Sequence, residues 1–283
     1  MPPRTNPTAR QVRLGSELRK LRERAGVAAR DAARVAGVDQ GKMSLFESGR
    51  AAVSEERLRR LVDHYGVADS ALVDALVALA IERGRGWWEK YRGDVGPNVL
   101  DLAALEWHSR AMQSLQIMHV PGILQCESYT RALFVYLSSH YTPDRVNATV
   151  RFRMQRRKVL DRENPPTFTA IIHEAALRMR VGDRKVAREQ LDHVLSEAER
   201  PNVTIRVVPF EAERFAGMGY SMLYLAADVP RLDTVQVDHV HGTVFFGAEE
   251  ELDRYRNRWR QVEESALSPV ETRDFLHRVA SEL

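Results

Sequence analysis

The run Gln40-Gly41-Lys42-Met43-Ser44-Leu45-Phe46-Glu47-Ser48 gathers amide, hydroxyl and ammonium groups within a few residues. On a helix stepping roughly 100° per residue, Met43 and Phe46 fall on one side, and Gln40, Gly41, Ser44, Leu45 and Ser48 fall on the other. An outward face of small and amide groups suits base edges, because Gln can bond adenine in bidentate fashion and Leu can touch a thymine methyl. Lys42 lies on the flank, placed for a phosphate. Arg30, Arg34 and Arg50 are expected to add phosphate contacts, which position a protein on a duplex without reading its sequence.

Other groups admit more than one chemistry. Arg145, Arg151, Arg153, Arg156, Arg157, Lys158 and Arg162 crowd one segment, which either binds an anion, widens a DNA footprint or is a solvated face paired with nearby acids. Glu174 stands at the end of an extended run, where ligands gather in open sheets; a first-turn helix acid is the alternative. Trp107, Tyr129, Phe134, Met218 and Tyr220 join Glu174 as candidates for an effector pocket, with core packing as the competing use. His173, His239 and His241 form no spacing typical of a metal site. There is no G-x-S-x-G elbow, Walker lysine or H-E-x-x-H, so neither an enzyme nor a cofactor is expected. Cys126 is the single cysteine, which excludes an intrachain disulfide and fits a reducing cytoplasm.

The elements that must hold the amide face are legible around it. Leu14, Leu18 and Leu21 recur at helical spacing. Gly26 ends that helix, and a small-residue helix from about residue 30 to 36 is closed by Gly37, whose missing Cβ allows a left-handed turn. Asp39 sits where an N-cap belongs. Residues 14 to 65 thus read as one five-helix unit whose third helix carries the exposed amides.

Charge divides the chain in the same place. Residues 1–66 carry 14 Lys/Arg against 8 Asp/Glu, whereas the whole 283-residue chain has a formal net charge of only +3. A basic lobe on a mildly acidic body is expected when one end meets phosphate. The opening MPPRTNPTARQVR has no apolar run, so neither a signal peptide nor a membrane span is expected, and a basic arm over 1–12 could follow the minor groove. The expected organisation is this arm, a DNA-binding domain over 13–66, a connecting helix and linker over 67–98, and a sensing and dimerisation domain over 99–283.

In the second half, a helix capped by Asp69 is expected to end at Gly84, and a basic helix to run from about 144 to 162. Extended runs at 167–173, 203–209, 220–226, 234–240 and 243–246 alternate with helices at 174–180 and 183–199 and from about 249 and 269. His241-Gly242 reads as a turn. A strand–helix–strand crossover followed by a meander predicts a mixed sheet with helices packed on it. The predicted fold class is α+β: an all-α five-helix domain, then a helix-rich α/β domain.

The segment from Leu14 to Tyr65 resembles the helix-turn-helix of the Xre, or phage-repressor, family, with Glu47-Ser48-Gly49-Arg50 at its E-x-G-[RK] ending. That resemblance implies an ion pair of Arg22 with Glu47, holding the first helix to the recognition helix. The family often has Gln where Ala29 stands, and Gly41 leaves bare backbone where a base-reading side chain often lies. The segment VPGILQCESYTRALF, through Pro121, Gly122, Leu124, Gln125, Tyr129, Arg131 and Ala132, resembles a P-G-[LI]-L-Q-x-x-x-Y-x-R-A motif of actinobacterial, antitoxin-like transcriptional regulators. Cys126 departs from their usual Thr, and Asp238-His239 from their usual Glu. Together the resemblances imply a dimeric regulator in the cytoplasm, associated with the nucleoid, that binds a palindromic double-stranded operator. Its body would answer to a small-molecule effector or a small protein partner. An antitoxin that neutralises a small protein and an enzyme with an appended DNA-binding domain are the rival readings.

Overall fold

The computed structural model describes residues 4–82, 86–138, 140–215, 220–239 and 242–283. The chain forms two compact units, Met1–Trp87 with Asp228–Asp233, and Trp88–Ala227 with Thr234–Leu283.

The first unit is built from α1 (Ala9–Arg24), α2 (Ala29–Ala36), α3 (Gln40–Glu47), α4 (Glu55–His64) and α5 (Ser70–Ile81). Thr8 starts α1 with a capping box, its hydroxyl accepting from the Gln11 amide while Gln11 reaches back to the Thr8 backbone. Leu14, Leu18 and Leu21 are buried, as are Met43 and Phe46 of α3 and Leu58 and Leu61 of α4. Gly37 closes α2 at φ 66°, the left-handed conformation that its lack of a Cβ makes cheap. Asp69 caps α5, which ends at Ile81; the helix end expected at Gly84 lies outside the described residues.

The second unit is helix-rich around one sheet. In chain order it contains α6 (Pro97–His108), β1 (Ala111–Gln116), α7 (Glu127–Leu137), α8 (Pro143–Arg157), β2 (Thr167–His173), α9 (Glu174–Arg178), α10 (Arg184–Glu197) and β3 (Val203–Val208). It then continues through β4 (Met222–Ala226), β5 (Thr234–His239), β6 (Gly242–Phe246), α11 (Glu249–Glu264) and α12 (Pro269–Ser281). The six strands lie in the order β3-β2-β1-β4-β5-β6. β1, β2 and β3 pair in parallel, and β1–β4, β4–β5 and β5–β6 pair antiparallel, so the sheet is mixed and the chain is α+β as expected.

β1 was not among the expected strands, yet it joins the parallel and antiparallel halves. Its sequence, AMQSLQ, places polar groups where a central strand usually carries Val or Ile. The basic helix also stops sooner than expected: α8 ends at Arg157, and Lys158–Asp161 tightens into a 3₁₀ turn. One face of the sheet packs Leu115, Ile171, Met222, Val235 and Val237 against Leu252, Trp259 and Val262 of α11. The opposite face carries Met112, Ser114, Phe168, Leu223 and Gln236, since successive side chains alternate across a strand.

Candidate nucleic-acid interface

α3 has a buried side and an exposed side. Met43 and Phe46 are 0% and 3% accessible, whereas Gln40, Gly41, Ser44 and Ser48 are exposed and Leu45 is half-buried. Asp39 caps the helix, its Oδ1 accepting from the Lys42 amide at 2.7 Å. The Lys42 ammonium lies 5.9 Å from the centre of the Phe46 ring, on the flank of the exposed strip. Neither Gln40 nor Ser44 has a side-chain hydrogen bond among the described residues, so their donors and acceptors face outward with nothing to satisfy.

Two contacts fix α3 against α1. Arg22 donates from Nε and Nη2 to the two Glu47 oxygens at 2.6 and 3.1 Å, and from Nη1 to the Val27 carbonyl at 2.9 Å. The bidentate geometry locks rotation as well as distance. Both side chains are largely buried, and Glu47 raises the Arg22 pKa chiefly through the hydrogen bond. The second contact is backbone on backbone. A Cβ on Gly15 would lie 2.6 Å from the Phe46 and Glu47 carbonyl oxygens, and one on Gly49 would lie 2.6 Å from the Gln11 backbone. The sequence carries one signal of this approach, a glycine inside a helix that otherwise reads without interruption.

The flanking cations fall into two groups. Arg30 and Arg34 on α2 are exposed, and both approach Asp31, at 3.9 and 3.2 Å. Such surface pairs are weak and yield readily to a phosphate. Arg50 follows α3 and exchanges bonds with Arg4: the Arg4 amide donates to the Arg50 carbonyl at 2.8 Å, and Arg50 Nε to the Arg4 carbonyl at 3.2 Å. Neither makes an ion pair among the described residues, so two uncompensated cations stand beside the end of α3. Arg4 belongs to the segment read as an arm, and α1 already begins at Ala9.

The described effector-pocket candidates each have partners of their own. Tyr129 is buried, its hydroxyl accepts from the Val120 amide at 3.4 Å, and burial pushes its pKa up to about 12. Glu174 is committed to Arg178 and to the Phe210 amide at 2.7 Å. Phe134 lies under the Arg153 guanidinium at 5.0 Å, and Trp107 under that of Arg162 at 5.8 Å. Tyr220 packs edge-on against Tyr255, and Met218 lies outside the described residues. Among the described residues, Trp107, Tyr129, Phe134, Glu174 and Tyr220 make no hydrogen bond or ring contact with one another. His173 caps α9 instead of approaching other histidines: its Nδ1 accepts from the Ala175 amide at 3.2 Å, between the rings of Phe210 and Phe215. His241 lies outside the described residues.

Within the motif of the second half, Gln125 clamps its own turn. Its Nε2 donates to the Val120 carbonyl at 2.8 Å, and Gln190 bonds the backbone on either side at Leu124 and Cys126. Cys126 is buried as the residue preceding α7.

A short capped helix, held at a turn to a scaffold helix and exposing an amide and hydroxyls, has the form of a helix-turn-helix. Residues 13–76 match the model of a helix-turn-helix domain, and residues 99–278 match that of a domain of unknown function (DUF5753). The second match covers more than half of the chain, which belongs to that family. No curated protein and no solved structure matches the chain. Among the described residues, no helix is long and apolar enough to cross a membrane.

Proposed function

We propose that the chain is a sequence-specific DNA-binding transcriptional regulator of the Xre type. Its helix-turn-helix domain supports a DNA-binding regulator. One observation carries the finer reading: Gln40 and Ser44 protrude, unbonded, from a helix whose opposite side is buried and whose end is locked by Arg22–Glu47. A surface meant only for water would more often carry charge at those positions. The Gln40 amide and the Ser44 hydroxyl are placed to read base edges, while Lys42, Arg30, Arg34, Arg50 and Arg4 meet phosphates.

The second unit is read as the part that dimerises and answers to an effector. Val135, Tyr136 and Leu137, at the end of α7, are 61%, 84% and 55% accessible, an apolar strip that a second copy would cover. Two helix-turn-helix units in a symmetric dimer read half-sites one helical turn apart, ~34 Å.

Genome-wide capture of the DNA bound by the full chain tests the reading. The expected result is a shared palindromic motif with half-sites about one turn apart. Capture without an enriched motif would contradict sequence-specific binding.

A further inference from the structure

A cavity of about 310 Å³ lies in the second unit, on the face of the sheet turned away from α11. Its floor follows from strand register. Ser114 of β1 faces Leu223 of β4, and Leu223 faces Gln236 of β5, so these three side chains form a row across the sheet. Asp238 and Gln116, each two residues along its strand, extend that face. α6, α7, α8 and the 119–125 turn supply most of the remaining wall. The volume is at the lower end of the ~300–1,000 Å³ typical of small-molecule sites.

The wall contains more charge than the fold requires. Glu106 of α6 is fully buried, and Arg156 of α8 stands 2.7 Å away, Nε to Oε2. Their alignment is poor, and neither the Glu106 oxygens nor Arg156 Nε has a hydrogen bond. The pair compensates charge, and these three atoms are sealed from water. Arg153, one turn earlier on α8, lines the same space and has no hydrogen bond or ion pair among the described residues. It rests on the Phe134 ring. Burial, then repulsion from Arg156, lowers its pKa to about 10. Gly122 makes room for both cations, since a Cβ there would lie 2.6 Å from Arg153 Nη1 and 2.9 Å from Arg156 Nη2.

Arg153 is half-buried, feels Glu106 and Asp238 only at a distance and donates no hydrogen bond, so its guanidinium is open to an anion that enters the cavity. The anion must also tolerate two acids. Asp238 Oδ1 accepts from Gln236 Nε2 at 2.7 Å and from Thr243 Oγ1 at 2.6 Å, and Glu106 faces Arg156. Both would repel a dianion more than a monoanion. The amide oxygens of Gln116 and Gln236 accept no hydrogen bond among the described residues, which leaves room for a ligand donor. Leu102, Leu133 and Leu223 supply an apolar wall.

We propose that this cavity binds a small organic acid: a monocarboxylate paired with Arg153, with an N–H or O–H group for Gln116 or Gln236 and an apolar side chain against the leucines. The inference rests on reading the second unit as the effector-sensing part, and it names the chemical class of the effector.

The test uses the full chain without DNA. Calorimetric titration and thermal unfolding compare a panel of N-acetyl amino acids, aryl carboxylates and alkyl carboxylates with their neutral primary amides and with phenyl phosphate. At least one carboxylate should bind and raise the melting temperature, with its amide about tenfold or more weaker, as the loss of a charge-assisted bond implies. Arg153→Met should weaken the acid by a similar factor while leaving the melting temperature of the unliganded chain equal or higher. A structural arginine would lower that temperature. If Arg153→Met does not fold, Gly122→Ala provides the second variant, because its Cβ displaces both guanidinium groups and should weaken the same acid. Four results overturn the proposal: no carboxylate binding at millimolar concentration, equal binding of acid and amide, undiminished binding by both variants, or preference for the phosphate. Operator affinity measured with and without the bound acid then tests regulation separately, so failure of the site and failure of its regulatory role are distinguishable.

Discussion

Glu47→Ala removes the carboxylate that receives two charged hydrogen bonds from Arg22, at 2.6 and 3.1 Å. Removing one member of a fully buried ion pair costs about 3–5 kcal/mol, because the other charge is left stranded. Arg22 is not fully stranded. It keeps its bond to the Val27 carbonyl at 2.9 Å, and its side chain is 11% exposed, so some water reaches it. The expected cost is therefore below that range, about 2–3 kcal/mol, close to the net worth of one or two charge-assisted bonds. For a domain of fewer than a hundred residues this corresponds to a fall of roughly 10–20 °C in melting temperature. Circular dichroism of the full chain, with Arg22→Met, Glu47→Ala and the double variant, forms a complete cycle. A coupling energy of at least about 1 kcal/mol is expected for residues in direct contact. Additive losses would refute the claim that this pair joins α1 to α3.

Gly15→Ala should reverse the usual benefit of alanine in a helix: overpacking against the Phe46 and Glu47 carbonyls outweighs a propensity gain of ~1 kcal/mol, and denaturant titration should show a net loss of about 1–2 kcal/mol. A stabilised Gly15→Ala variant would show that the two backbones do not approach closely. His173 should make stability depend on pH, because burial lowers its pKa and its Nδ1 must stay unprotonated to cap α9. Above the ordinary imidazole value of ~6.5 the unfolded and folded states are both neutral; below it the unfolded chain takes up the proton first, so stability falls with acid. His173→Asn keeps a cap acceptor and should flatten the decline between pH 7 and 5 in chemical unfolding; an unchanged decline would assign it to other groups. Arg50→Ala should weaken all duplexes alike and reduce the salt slope by about one unit or less, and a sequence-dependent loss in a salt titration would count against a phosphate role.

The helical unit was largely legible because each local signal agreed with the next. Leu14, Leu18 and Leu21 mark a stripe, Asp39 a cap and Gly37 a left-handed turn, and all three occur where the structure uses them. The close approach at Gly15 was not legible, since a short-range pattern carries no information on what lies opposite a glycine. β1 escaped for a different reason. Ser114 and Gln116 line the polar cavity, and their side chains erase the alternation that normally marks a strand. Local pattern and fold disagree where the protein places polar groups in its interior. The arginines of α8 show the same limit. Their spacing reveals a cationic helix, but only the packing distinguishes Arg156 and Arg157, in ion pairs with Glu106 and Glu197, from Arg153, which has no ion pair among the described residues.

The most direct measurement of the central claim is a competition assay with the full chain carrying Gln40→Ala and Ser44→Ala. A duplex with the captured motif competes against one of scrambled sequence across a range of salt. The wild-type chain should prefer the motif, and the double variant should bind both duplexes equally, weakly and with strong salt dependence, because phosphate contacts survive and base contacts do not. Undiminished preference in the double variant would contradict reading by the exposed face of α3.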